Sequence, residues 1–428
     1  MMTREQNEQL TQVGPTTPMG DLLRRYWHIV GSVHEMQSRH TMRVRLLGED
    51  LILVKNRRGN FGLISEFCPH RRASLFVGIP TDDGIRCAYH GWHFDLAGHC
   101  LERPNERNPE SLKDRKVARA YPVEELGGLL FGYLGPEPIP LLPRLDAYAA
   151  GGIRAVGKAM VPCNWLQIME NSCDPVHTEW LHGKFYEHIK EQERGLPFAR
   201  RTLKIGFDEF DLGLVKRRLM EGQSEDCDDW RVGHPLVFPT TLSVGSSGGH
   251  WRSYEFQIRV PMDDTHTMHY WYESFVPPEG QQVAAHLLDT VPVYEPPLRD
   301  ENGEFRLDII DGQDAWVWVS QGPIFDRTTE LLGATDSGVT MYRQMLFREM
   351  EKVARGEDPI GVIRDPARNK FIELPTEKDK DMFSDGFANY VSRKVTQYSP
   401  VLEELLAVYG VSPPPAASEK VKEPAPVK

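Results

Sequence analysis

Two short segments of the sequence each carry one cysteine and one histidine. The first runs Cys-Pro-His from Cys68 to His70, and the second runs Cys-Ala-Tyr-His from Cys87 to His90. Each segment can present one thiolate and one imidazole to the same small volume. Two thiolates on one iron and two imidazoles on the other hold a two-iron two-sulfur cluster of raised reduction potential. The four residues therefore predict a one-electron relay.

A zinc site is the alternative use of the same four residues. Structural zinc can take two cysteines and two histidines, but these ligands usually come as a Cys-x2-4-Cys pair and a His-x3-5-His pair. Here each loop mixes one cysteine with one histidine. The mixed spacing favours the iron-sulfur cluster over zinc.

A second candidate metal site lies in residues 164–182. Asp174 precedes His177 by three residues, and His182 follows His177 by five. On an ideal helix Asp174 and His177 share a face, but His177 and His182 diverge by about 140°. If both histidines bind one metal, a helix end or a widened turn must lie between them. Asp314 is the candidate third ligand, and Asn171 is a further candidate catalytic residue.

Two histidines and one carboxylate leave positions on Fe(II) open for dioxygen, as in non-haem iron oxygenases. Taken alone, histidines beside an aspartate more often cap a helix or form hydrogen bonds. A redox cluster in the same chain changes that balance, because it supplies the electrons that such an iron consumes. We therefore expect a mononuclear Fe(II) site.

Hydrophobic periodicity indicates the elements that position these residues. Short β-rich runs at 44–47, 51–54 and 61–64 predict a small antiparallel sheet before the cysteine–histidine loops, and 127–135 adds a strand. Alternating runs at 212–219, 251–260 and 266–272 predict a larger antiparallel sheet, while 339–354 and 402–408 have helical spacing. The fold class is α+β, with an all-β domain followed by a larger catalytic domain of antiparallel sheet and helices.

These elements predict four segments. They are an N-terminal helical segment at 1–40 with Asp21 as its cap, an iron-sulfur domain at 41–142 that ends at a proline cluster, a catalytic domain at 143–411, and a disordered tail at 412–428 that is rich in Pro, Ala, Lys and Glu.

Composition excludes some classes of function. The chain has 428 residues, 40% of them hydrophobic, and a net charge of −12, which opposes general binding to nucleic acid or anionic membranes. The sequence has no apolar run of about 18 residues and no apolar core near its start, so we expect a cytoplasmic protein without a membrane span. The six cysteines are too few for a disulfide scaffold.

On these motifs the chain resembles the oxygenase (α) subunits of Rieske non-haem iron aromatic-ring hydroxylases, and more closely the phthalate dioxygenase group. The resemblance extends from about residue 13 to 394 and is most specific in the two cysteine–histidine loops and in 164–182, 260–267 and 313–324. It implies that the first domain is a Rieske domain with the cluster on Cys68, His70, Cys87 and His90. It implies the mononuclear iron on His177, His182 and Asp314.

The resemblance also implies partners. Electrons cross a subunit interface in a homotrimer or a hexamer of trimers, where Asp174 bridges His177 to His90 of the next subunit. Because Gly245–Gly249 lacks the Gly-x-Gly-x-x-Gly spacing of a nucleotide site, a separate reductase must supply electrons from NAD(P)H.

The expected function is that of a terminal oxygenase that hydroxylates an aromatic substrate with dioxygen. A phthalate-like aromatic carboxylate is the expected substrate, and Arg217, Arg218 and Arg231 are candidates to bind it. The alternatives are a Rieske monooxygenase that demethylates an aryl ether or hydroxylates a side chain, and a non-catalytic Rieske electron carrier. The metal ligands alone cannot separate the two oxygenases.

Overall fold

The computed structural model describes residues 2–190, 200–244, 252–277, 279–376, 391 and 393–409. Gly245–Gly249 and the predicted tail at 412–428 lie outside these residues. The first part of the chain is built from three small sheets, and the second from one large sheet and its helices, which agrees with the predicted α+β class. None of the helices in the described ranges combines the length and the hydropathy that a membrane span requires.

Three small sheets position the cysteine–histidine loops. Aliphatic strands separated by tight turns pair with their sequence neighbours, as predicted for 44–47, 51–54 and 61–64. In order across the first sheet, the strands are Trp27–Ser32, Leu129–Tyr133 and Val123–Leu126. The second sheet consists of Thr41–Leu46, Glu49–Lys55, Phe61–Ser65 and Ala120–Tyr121. The third consists of Ile79–Pro80, Gly84–Arg86, His93–Asp95 and Cys100–Glu102.

The N-terminal prediction needs correction. Helices cover Arg4–Thr11 and Pro18–Leu23, and the second is capped by the Thr17 hydroxyl rather than by Asp21. Trp27–Ser32 is already a strand that pairs with Leu129–Tyr133. The helical segment therefore ends well before residue 40, because the β-branched residues Ile29 and Val30 favour a strand.

The large sheet has eight strands that are antiparallel except for the last pair. In order across the sheet they are Thr202–Phe210, Gly213–Met220, His234–Val237, Thr241–Val244, Arg252–Pro261, Thr267–Val276, Ile153–Val161 and Val293–Tyr294. The predicted strands at 212–219, 251–260 and 266–272 are all present.

Helices cover the large sheet and carry the second candidate site. The main core is continuous from the N-terminal helices through the small sheets to the large sheet. Within the described ranges, the remaining α-helices are Asp146–Ala149, Trp165–Cys173, His177–Glu179, Phe185–Lys190, Asp228–Arg231, Ala285–Asp289, Ile310–Ser320, Ser337–Ala354 and Leu402–Tyr409, and a π-helical turn covers Trp180–Lys184. Short 3-10 turns cover Leu75–Val77, Pro109–Leu112, Ala334–Asp336, Pro366–Arg368 and Val395–Tyr398.

Candidate metal centres and substrate cavity

The two cysteine–histidine loops have the same backbone geometry. In each loop the cysteine carbonyl accepts a hydrogen bond from the N–H four residues later, at Arg72 (2.9 Å) and Gly91 (3.0 Å). Both of these residues have left-handed backbones, with φ of 62° and 75°. At Gly91 a Cβ would lie 2.8 Å from Pro104 Cγ, so only glycine fits there. The two loops therefore present cysteines Cys68 and Cys87 in matching positions.

The loop side chains suit an iron-sulfur cluster better than a single zinc ion. Both cysteines are buried, while the rings of His70 and His90 are half-buried with their centroids 4.7 Å apart. Burial raises the pKa of Cys68 to about 11, so its thiolate needs a bound cation. Four donors on one zinc would lie well within 4.8 Å of one another, and in the described part of the chain no three of these donors do. This spread agrees with two separate irons.

A π-helical turn brings together the two histidines of the second site. The helix Trp165–Cys173 ends at Asp174, and the wider turn Trp180–Lys184 follows His177–Glu179. The rings of His177 and His182 lie edge to face, with centroids 5.2 Å apart and an interplanar angle of 78°. The predicted widened turn between the histidines is therefore present, and π-helical turns are frequent at functional sites.

Asp314 completes a group of three possible metal ligands. The helix Ile310–Ser320 places its Oδ1 3.3 Å from His182 Nε2 and 3.9 Å from His177 Nε2. Among the described residues, this is the one group of three such side chains whose donor atoms lie within 4.8 Å of one another. Burial alone would raise the pKa of Asp314, but the charge of His182 lowers this pKa by more. The net pKa is below its usual value, so the carboxylate is ionised. Asn171 also lies here, with its Nδ2 3.5 Å from Asp314 Oδ1.

Gln313 fixes the orientation of His182, and sequence reasoning missed it. The Gln313 amide nitrogen donates to the Leu307 carbonyl at 2.8 Å, so its Oε1 faces His182 Nδ1, also at 2.8 Å. His182 Nδ1 therefore carries the proton of this bond, and Nε2 is the nitrogen that faces Asp314. A ligand histidine held through its other nitrogen is typical of metal sites. The position of Gln313 next to Asp314 was the available signal.

Asp174 has two roles in this structure. Its carboxylate accepts hydrogen bonds from the backbone N–H groups of Val176 (2.7 Å) and His177 (3.3 Å), as a helix cap does. Its Oδ2 also lies 3.6 Å from His177 Nδ1, a buried nitrogen with no hydrogen-bond partner among the described residues. Asp174 therefore holds the backbone turn before His177 and contacts the His177 ring at the same time.

Comparisons with known proteins identify the family. A family model described as the Rieske [2Fe-2S] domain matches residues 26–122, and one described as LigXa C-terminal domain like matches 301–373. The chain is 43% identical, over 88% of its length and 87% of the relative, to the 5,5'-dehydrodivanillate O-demethylase oxygenase subunit of Sphingobium sp. strain SYK-6. It is 30% identical, over 91% of its length and 96% of the relative, to the phthalate 4,5-dioxygenase oxygenase subunit of Pseudomonas putida.

The chain belongs to the Rieske non-haem iron oxygenases. A solved structure of NdmA from Pseudomonas putida CBB5 shares the fold, with a TM-score of 0.57 at 20% identity over 79% of this chain and 94% of that one. As a Rieske oxygenase the chain is the terminal oxygenase component of its system. It uses a Rieske cluster, non-haem iron and electrons from a separate reductase, as predicted.

The candidate iron ligands of this Rieske oxygenase line one cavity of about 140 Å³. The histidines and Asp314 line one part of it, and Met220, Leu242, Val244 and Ile310 supply apolar surface. Five cationic side chains also line the cavity: Arg200, Lys216, Arg218, Arg393 and Lys394. The cavity can therefore hold an aromatic ring with an anionic substituent beside the iron ligands.

The three predicted substrate arginines separate in the structure. Arg218 lines the cavity and is buried, but the cavity lining includes neither Arg217 nor Arg231. Arg217 points from the opposite face of the strand Gly213–Met220 and bonds to Asp208 at 2.8 Å. Arg231 is exposed. Neighbouring residues of a strand face opposite sides, so Arg217 and Arg218 could not both reach the cavity.

Proposed function

We propose that this terminal oxygenase acts on an aromatic carboxylate and removes an O-methyl group from an aryl methyl ether. Cationic side chains at the cavity wall support this substrate class, since five arginine and lysine side chains line the cavity and Asp314 is the one carboxylate among the described lining residues. The similarity to a 5,5'-dehydrodivanillate O-demethylase, at 43% identity, supports the demethylation. The sequence analysis gave this demethylation as the alternative to hydroxylation of the aromatic ring.

The carboxylate-binding patch is formed by two neighbouring strands. Lys216 and Arg218 alternate on one face of Gly213–Met220, and His234 pairs directly with Lys216 across the sheet. All three side chains line the cavity. Arginine and lysine bind carboxylates through charge-assisted hydrogen bonds, which are stronger than neutral ones. We therefore propose Lys216 and His234 as the substrate-binding group together with Arg218, the one member of the predicted trio that lines the cavity.

Asp229 positions two members of this patch from behind. Its Oδ1 lies 2.9 Å from His234 Nε2 and 3.9 Å from Arg218 Nη2, and Gln223 donates to its Oδ2 at 2.9 Å. Burial raises the pKa of Asp229, but the bond from His234 and the charge of Arg218 lower it well below the usual range. The permanent carboxylate holds both side chains in place at the cavity wall.

The metal ligands follow from the geometry described above. We propose that Cys68, His70, Cys87 and His90 hold the Rieske cluster, and that His177, His182 and Asp314 hold the iron. When bound, this iron activates dioxygen, while the chain orients the substrate with its cationic patch and sets the histidine tautomer through Gln313.

Electron transfer between chains is the proposed route from cluster to iron. We propose a homotrimer, or a hexamer of trimers, in which Asp174 joins His177 to His90 of the next subunit. The side chain of Asp174 is 26% exposed, so a neighbouring chain can reach its carboxylate. A carboxylate shared by two ligand histidines would fix the orientations of both rings.

A cytoplasmic location also stays a prediction.

Product analysis tests the proposed reaction. Demethylation converts an aryl methyl ether, dioxygen, two electrons and two protons into a phenol, formaldehyde and water. The purified chain with a compatible reductase should release about one formaldehyde per dioxygen from methoxylated benzoates, since the electron balance fixes this ratio. Neutral methoxybenzenes should react poorly, and equal turnover of the neutral compounds would contradict the role of the cationic cavity.

Ring dihydroxylation of an aromatic carboxylate is the second candidate. The 30% identity to a phthalate 4,5-dioxygenase oxygenase subunit favours it, and the same cationic patch would bind the substrate. The same assay separates the two reactions. A dihydrodiol from unmethoxylated acids, without formaldehyde from methoxylated ones, would replace demethylation by dihydroxylation.

A further inference from the structure

Three buried carboxylates surround one lysine behind the cavity. Glu255 and Glu273 lie directly opposite each other on the paired strands Arg252–Pro261 and Thr267–Val276. Asp311 approaches from the helix Ile310–Ser320, and Lys394 from the segment that follows residue 392. All four side chains belong to residues no more than 5% exposed. The candidate metal ligands and the substrate patch do not account for this group.

The group is connected to the cavity through Lys394 and Gln257. Lys394 donates to Glu255, and Gln257 Nε2 donates to Glu255 Oε1 at 3.1 Å. Both Lys394 and Gln257 line the cavity that contains the candidate iron ligands. Behind Glu255, the Thr396 hydroxyl donates to Glu273 Oε1. The carboxylates therefore form a short series that begins in the protein interior and ends at the cavity wall.

The charge of the group requires a bound proton. If every carboxylate were ionised, three negative charges would face one ammonium group in a buried space, which is unfavourable. Glu273 faces Glu255 on the neighbouring strand, Asp311 on the helix, Lys394 on the C-terminal segment and the phenol of Tyr294. Burial, followed by the charge of Glu255, raises the pKa of Glu273 to about 8.

We propose that Glu273 stores a proton for dioxygen reduction and that Glu255 and Lys394 carry it to the cavity. Oxygenation by a Rieske oxygenase consumes two protons with its two electrons, whether the product is a phenol or a dihydrodiol. The Lys394 ammonium gives one proton to the cavity. Glu273 then passes its proton to the Glu255 carboxylate, and Glu255 passes it on to the neutral Lys394. Glu273 is left as a carboxylate and takes up a new proton from water. The proposal holds for either substrate reaction.

Infrared spectroscopy of the resting holoenzyme reads the stored proton directly. With ¹³C-labelled glutamate, the wild-type protein should show a protonated carboxyl band at pH 7 that disappears as the pH passes about 8. Glu273→Gln has the shape of the protonated acid and should lack the band. Its kcat at pH 7 should fall about tenfold or more with KM unchanged, because proton transfer contributes at least that much to many reactions. We also expect the wild-type kcat to fall above about pH 8, and this fall should be absent in Glu273→Gln.

Glu349→Gln is the matched control. Glu349 is a fully buried carboxylate that pairs with Arg348 and Lys352 on the helix Ser337–Ala354, outside the cavity lining. This variant should keep the infrared band, the kcat and the pH profile. Glu255→Gln provides a second test, since removing the opposing charge should lower the pKa of Glu273. A wild-type protein without a protonated glutamate at pH 7, or an unchanged kcat and pH profile in Glu273→Gln, would overturn the proposal.

Discussion

Replacing Arg218 by methionine tests the substrate-binding patch. Methionine keeps much of the side-chain volume and removes the guanidinium from the cavity wall. A hydrogen bond to a charged group contributes about 1.5–3 kcal/mol. The loss should therefore weaken binding of the acid about 10- to 150-fold. Asp229 would keep its bonds from His234 and Gln223, so we expect the fold to survive.

Arg217→Met is the control for this substitution. Arg217 occupies the same strand but bonds to Asp208 and to the carbonyl of Val232, away from the cavity. Its replacement changes the net charge by the same amount as Arg218→Met. We therefore expect the affinity for the acid to remain within about twofold of the wild type, because the Arg217 guanidinium lies on the opposite face of the strand, is paired with Asp208 and is further screened by salt.

The assay compares each acid with its neutral carboxamide. Dissociation constants from calorimetric titration and kcat/KM from oxygen uptake should both favour the acid in the wild type and in Arg217→Met. Arg218→Met should lose this preference. The substitution weakens binding of the acid, but the neutral carboxamide forms no ion pair with the Arg218 guanidinium and should bind as before. Equal effects of the two substitutions, or an acid preference that survives in Arg218→Met, would refute the assignment.

Three further substitutions test individual contacts. Asp174→Asn should leave the cluster spectrum unchanged and reduce turnover about 100-fold, because it weakens the link between two ligand histidines; normal coupled turnover would exclude the bridge. Gln313→Ala should lower iron affinity about 10- to 100-fold in equilibrium dialysis, since His182 loses its orienting partner; unchanged affinity would contradict this role. Asp229→Asn should destabilise the protein by about 1–3 kcal/mol at pH 7 in urea unfolding. Because folding depresses the pKa of Asp229, its contribution is present above about pH 4 and is lost as the pH falls, so the variant and wild type should converge in acid. A constant difference down to pH 3 would contradict the ionised pair.

The metal sites could be predicted because their chemistry depends on residue type and local spacing. Cys68 and His70 lie in one turn, as do Cys87 and His90, so the chain itself brings each pair together. The five-residue separation of His177 and His182 also predicted the widened turn, since 3.6 residues per turn cannot align them. Residue type alone could not select Asp314 among 62 acidic residues, and the resemblance of residues 313–324 to the family supplied it.

The substrate cavity was harder to predict because it depends on which face of each strand is buried. Arg217 and Arg218 are adjacent and chemically equal in sequence, and only the pairing with His234–Val237 shows which one faces the cavity. His234 and Asp229 come together through a sheet and a short helix that no local pattern links to the iron. The carboxylates Glu255 and Glu273 meet only through strand register.

Metal analysis tests the central claim that one chain holds both a cluster and a mononuclear iron. The purified wild type should contain about three irons and two acid-labile sulfides per chain, with the cluster spectrum of a two-histidine ligand set. His182→Ala should contain about two irons with unchanged sulfide and cluster spectrum. Zinc in place of the cluster, or an iron content that is the same in both proteins, would contradict the account.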